Sequence, residues 1–193
     1  MKHVEDFCNA LGRFIYEFSE VERSIFLYLI ITSRLPIQDA KAVFTDARID
    51  KAKQAVKRLR QARDLPEDNQ LDCAFNHLAD ITRLRNDLVH YGPQPQADQT
   101  FVISDDLWKI NNTRTYKITA DDLKYATDDL GKLKVFFLKH MLTETVPNVP
   151  LIKNMPGVEL LPWRYKPSQP IRPPSNNRTK APKHPHPPAS SGE

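Results

Sequence analysis

Arg83-Leu84-Arg85-Asn86-Asp87-Leu88-Val89-His90-Tyr91-Gly92 gathers two guanidiniums, an amide, a carboxylate and an imidazole into a single short stretch. An imidazole is the side chain best placed to accept or deliver a proton near neutral pH. A guanidinium beside it can clamp a phosphate in bidentate fashion or offset negative charge that builds up during a reaction. An amide can orient either the phosphate or the imidazole. The chemistry that these residue types suit is proton transfer at a phosphate ester.

These groups need a helix to position them. Leu71, Phe75, Leu78, Ile81, Leu84 and Leu88 recur every three or four residues, so the spacing predicts a helix from about Asn69 to Tyr91, ended by Gly92-Pro93-Gln94-Pro95. At about 100° per residue, Arg83, Asn86, Asp87 and His90 share the side opposite the apolar stripe. Arg85 lands inside the apolar sector. A cation there needs a partner, because an unpaired buried charge is costly. Candidates are Glu22, a second subunit, or a ligand phosphate.

Three further helices are expected around this one. Phe7, Leu11, Phe14, Phe18, Val21, Ile25 and Leu29 mark a helix from about Val4 to Ser33, broken by Leu35-Pro36. Asp39 to Arg63 reads as a second helical stretch with an interruption near Thr45-Asp46. Thr119 followed by Asp121 and Asp122 reads as the start of a last helix, reaching about Leu142 and burying Leu123, Leu130, Leu133, Phe137 and Met141. Between the third and last helices the period shortens. Phe101–Ser104 and Tyr116–Thr119 read as a β-hairpin, with Asn111-Asn112 between them.

From Pro147 the composition changes. This segment holds 12 of the 16 prolines and a net charge of +5, so residues 1–146 carry −1 of the chain's +4. The expectation is a helical domain over 1–146 and a basic, proline-rich tail over 147–193. Residues 167–193 lack the apolar surface needed to offset the entropy of ordering and are expected to be disordered. Leu151, Ile152, Val158, Leu160, Leu161 and Trp163 have the makings of an extended strap along the body.

The N-terminus has no signal-peptide core, and no apolar run is long enough to span a bilayer. Cys8 and Cys73 are far apart, which suits a reducing compartment. The expectation is a soluble, cytoplasmic protein. No metal-ligand spacing occurs, and the chemistry calls for no cofactor. Lys51, Lys57, Arg58, Arg60 and Arg63 form the densest basic run of the body. They are a candidate RNA-backbone surface, set against the commoner reading of such a run as a solvated helix face. Trp108 and Tyr116 are candidates for stacking on bases, with packing inside the hairpin the commoner role.

Arg85-Asn86-Asp87-Leu88-Val89-His90 resembles the signature of the HEPN superfamily: arginine, a polar residue that is often asparagine, a short spacer, then histidine. The context is similar over roughly residues 1–145, and Phe18-Ser19-Glu20-Val21-Glu22 resembles one branch of that family. The resemblance implies an all-α bundle of four to five helices, here with a β-hairpin insert, that dimerises and sets two motifs face to face. Many members are metal-independent ribonucleases, toxins or antiviral effectors; others are inactive binding modules. Position by position, Arg85, Asn86 and His90 match the catalytic motif. Glu22, Arg83, Asp87 and Tyr91 are neighbours that would support it.

The leading expectation is therefore a metal-independent endoribonuclease acting on RNA as a homodimer, with an antitoxin or regulatory protein as a further partner. A non-catalytic helical module binding a protein or nucleotide is the competing reading. A regulatory nucleic-acid-binding protein, driven by the basic helix and tail, is a third.

Overall fold

A computed structural model describes residues 2–33, 49–105, 115–146 and 157–169, with residues 38, 148 and 150. Four helices and three short strands occur among them: α1 (Lys2–Ser33), α2 (Ile49–Gln61), α3 (Asn69–Tyr91), β1 (Gln94–Pro95), β2 (Phe101–Ser104), β3 (Thr115–Ile118) and α4 (Ala120–Thr145). The architecture is predominantly helical, with a small antiparallel sheet. Among the described residues, no helix is long and apolar enough to cross a membrane.

Helix α3 has the expected bounds because both ends are chemically marked. Asp68 caps its start, its carboxylate accepting from the backbone N–H of Gln70 and Leu71 at 2.8 and 3.0 Å. Gly92 follows its end with φ +67, a conformation that side-chain-bearing residues rarely adopt. Helix α4 begins with a capping box, in which the Thr119 hydroxyl accepts from the Asp122 N–H while the Asp122 carboxylate accepts from the Thr119 N–H. It runs one turn beyond the expected Leu142. The second helical stretch is described from Ile49 to Gln61, ending two residues before the expected Arg63; residues 39–48, with the suggested interruption, lie outside the described residues.

Paired side chains give the helix directions. Lys134 reaches Glu17 and Tyr28 donates to Glu144, each at 2.7 Å, with sequence offsets of 117 and 116. Helices α1 and α4 therefore run parallel. His77 meets Asp129 and His140 meets Asp68, each at 3.0 Å, so α3 runs antiparallel to α4. The shared core is built from Phe7, Phe14, Phe18, Val21 and Ile25 of α1, Leu78, Ile81, Leu84 and Leu88 of α3, and Leu123, Leu130, Leu133 and Phe137 of α4.

The sheet closes the end of the bundle where α1 starts and α3 stops. Its order is β1-β2-β3, with Phe101 opposite Ile118 and Ser104 opposite Thr115. Phe101 stacks on Phe7 with ring centroids 3.7 Å apart. The expected hairpin is present, with its second strand shifted back by one residue. Strand β1 was not expected: it is two residues long and contains a proline, so it carries no alternation to read. The Asn111-Asn112 link lies outside the described residues.

The strap also forms, over 157–169. Leu160 and Tyr165 are buried in the main core, while Leu161, expected to pack, is 59% exposed. Asp129 of α4 holds the strap in place: its carboxylate accepts from the backbone N–H of Arg164 at 3.1 Å and of Tyr165 at 2.8 Å. Trp163 stacks on His77 with ring centroids 4.0 Å apart, and Lys132 donates to the Pro162 carbonyl at 3.0 Å. Packing of the chain onto the bundle thus continues past residue 146. Pro167–Gln169 are described; Leu151, Ile152 and the rest of the expected disordered stretch, 170–193, lie outside the described residues.

Candidate functional site

The last two turns of α3 are anchored by Leu84 and Leu88, both buried in the core. Arg85 lies between them in sequence and is half-buried, as its place in the apolar sector implies. Its guanidinium carbon is 5.7 Å from the centre of the Phe18 ring on α1. Its Nη1 donates to the Asn86 side-chain oxygen at 3.0 Å, while its Nε is buried without a hydrogen-bond partner. An orphaned buried N–H on a cation is costly, and an anion reaching it would relieve that cost.

Glu22 does not pair directly with Arg85, contrary to one of the three expectations. The two interact through space: burial pushes the Glu22 carboxyl above the usual carboxylate range, and the Arg85 charge pulls it back down. The immediate neighbours of the guanidinium are instead Asn86 and an aromatic face.

His90 is exposed at the helix end, with Tyr91 beside it at 6.4 Å between ring centroids. Five residues separate Arg85 from His90, so they stand about 7.5 Å apart along the axis and about 140° apart around it. Val89, between them, is 54% exposed. One copy therefore carries the guanidinium and the imidazole on the two shoulders of a convex ridge.

Arg83 and Asp87 lie on the His90 side of α3, away from Arg85. Arg83 meets Asp80 at 3.4 Å, and Asp87 accepts from the Tyr116 hydroxyl of β3 at 3.0 Å. Tyr116 is buried, which supports its packing role; Trp108 lies outside the described residues.

The basic run is only in part an exposed surface. Arg60 is buried, 8% exposed, where it ion-pairs with Glu144 and donates to the Pro66 carbonyl at 2.8 Å. Arg63 donates to the Glu144 carbonyl at 2.9 Å. Lys57 pairs with Asp72 at 2.9 Å, beside Lys53 at 3.2 Å. Lys51, Lys57, Arg58 and Arg63 are exposed, and of these Lys57 and Arg63 face the acids of α3 and α4. A charge count along one helix does not reveal that α3 and α4 bring carboxylates to meet it.

His140 belongs to the same buried polar end, 3.0 Å from Asp68 and 3.6 Å from Glu144. Burial holds its imidazole below the usual histidine range; Asp68 opposes this, and Arg60 and Lys139 add to it. The unfolded chain consequently binds more protons than the folded one as pH falls through that range. This part of the stability is complete above the range and is lost on acidification. The thermal midpoint should fall from about pH 7.5 to about pH 5.5, and His140→Gln should flatten that fall. Equal falls in both proteins would contradict the assignment.

His77 and Asp129 are the pair that sequence reading missed. His77 is 6% exposed and Asp129 fully buried. A signal was present: on their wheels, His77 falls between Leu84 and Leu88, and Asp129 borders the Leu133 side of the α4 stripe. A polar residue in an apolar sector implies a buried partner.

Compared with protein-family models, curated proteins and solved structures, the chain matches none.

Proposed function

We propose that the chain is a metal-independent endoribonuclease of HEPN type, cleaving RNA in a cleft shared by two copies. The observation that carries this reading is the arrangement at the end of α3. A half-buried guanidinium with an orphaned Nε, an amide bonded to it and an exposed imidazole sit on one ridge. A convex ridge cannot enclose a phosphate alone, and a second ridge facing it would.

RNA brings its own nucleophile, the 2′-hydroxyl. His90 of one copy takes the 2′-hydroxyl proton as that oxygen bonds to phosphorus. The second copy's His90 returns a proton to the departing 5′-oxygen. Arg85 offsets the charge on the phosphorane, and Asn86 holds the guanidinium in place. The products are a 2′,3′-cyclic phosphate and a 5′-hydroxyl. A homodimer, and an antitoxin or regulatory protein that keeps the two copies apart, are the partners this reading calls for; a toxin or defence role follows from the same resemblance.

The test is a matched pair of oligonucleotides, one all-ribose and one with 2′-deoxyribose throughout. Cleavage of the ribose strand alone, leaving cyclic phosphate ends, is expected. Equal cleavage of both, or 5′-phosphate products, would contradict the mechanism. The non-catalytic module stands as the second reading because the Arg85–Asn86 bond and half-burial also suit a packed interface; it expects both strands to stay intact.

A further inference from the structure

A cavity of about 540 Å³ opens between α3, β3 and the strap, beside the motif and distinct from the Arg85 shoulder. Asp80, Arg83, Leu84 and Asp87 line it from α3, Tyr116 from β3 and Tyr165 from the strap. Its size falls in the range of small-ligand sites. Tyr165 is 4% exposed, and its backbone N–H is bonded to Asp129, whereas its hydroxyl has no hydrogen-bond partner among the described residues. Burial, helped by the charges of Asp122, Asp80 and Asp87 and opposed by Arg83, pushes the phenol's pKa well up, so it remains a neutral donor. Tyr165 lines the cavity, and its hydroxyl, bonded to no described residue, is available to a ligand seated there.

The lining carries both signs of charge, and this narrows the ligand. A simple cation would suit the carboxylates but be repelled by Arg83. Guanine alone among the RNA bases sets two adjacent donors, N1–H and the 2-amino group, on one edge, and two acceptors, O6 and N7, on another. A carboxylate accepts from the first edge, and a guanidinium binds the second in its commonest base contact. Adenine and cytosine turn a ring-nitrogen acceptor toward the carboxylate, and uracil offers one donor.

We propose that this cavity binds a guanine base, with Asp80 and Asp87 taking the donor edge, and Arg83 and the Tyr165 hydroxyl the acceptor edge. On the α3 wheel His90 lies about 20° from Arg83 and about 60° from Asp87. A guanosine seated here places its 3′-phosphate toward His90. The inference deepens the ribonuclease reading by naming the base beside the cut.

The test is calorimetric titration of the full chain with 3′-GMP, 3′-AMP, 3′-CMP and 3′-UMP, with spermidine as a competitor. The expected result is binding of 3′-GMP at least about tenfold tighter than the others. Asp80→Asn and Tyr165→Phe, each confirmed as folded by NMR, should each weaken it by about tenfold. Indistinguishable binding of all four nucleotides, binding of none, or displacement of 3′-GMP by equimolar spermidine would overturn the proposal. A guanine preference in a protein that leaves RNA intact keeps the site and removes the ribonuclease. Cleavage without that preference does the reverse.

Discussion

His90→Ala is expected to lower RNA cleavage by about 10²–10⁴-fold, the usual contribution of a positioned proton donor or acceptor. If two copies face each other, one substitution removes both the base and the acid from every site, which places the effect at the upper end. The fold should be untouched: His90 is exposed at a helix terminus, and the core contacts of the last turn belong to Leu84 and Leu88. The structural loss is limited to an interaction with the helix dipole, up to about 1 kcal/mol at an exposed position. Unchanged circular dichroism with lost cleavage is the expected pair of readings. Lost cleavage together with lost helicity would instead make His90 a structural residue.

The largest effect on stability is expected at Asp129. Burial pushes its carboxyl up, but the His77 hydrogen bond and the backbone N–H groups of Tyr165 and Arg164 outweigh this and hold it below the usual carboxylate range. Its stabilising effect is therefore present at neutral pH and is lost as acid protonates it. Asp129→Ala removes the acceptor from three donors at once and leaves His77 unpaired beneath Trp163. Breaking a buried pair of this kind costs about 3–5 kcal/mol. Urea unfolding should show that loss, and limited proteolysis should cut within 157–169 at neutral pH. Asp129→Asn keeps the volume and part of the hydrogen bonding, so it should cost less. A loss below about 1 kcal/mol for Asp129→Ala would mean that the Asp129 hydrogen bonds add little to the other contacts of the strap.

How much of this was legible in the sequence depends on whether the deciding partner is local. Helix α3 could be bounded to the residue because Asp68 and Gly92 act on their immediate neighbours. Arg85 stood out because a cation at an apolar wheel position is a local contradiction. Its resolution was not local: Phe18, far away along the chain in another helix, and the adjacent Asn86 take the place given to Glu22. The ion pairs of the basic run were hidden for the same reason, since Asp72 and Glu144 arrive from α3 and α4 to meet Lys57, Arg60 and Arg63. The strap was half-visible: Trp163 and Leu160 showed apolar character, whereas Tyr165 and the backbone acceptors on Asp129 had no sequence pattern to announce them. Strand β1 exists only because β2 lies beside it.

The measurement that bears most directly on the central claim is incubation of mixed RNA, in EDTA, with the parent protein and with the Arg85→Ala and His90→Ala variants. The account predicts cleavage by the parent and its loss in both variants. RNA left intact by a folded, dimeric parent, or cut equally by all three proteins, would contradict it.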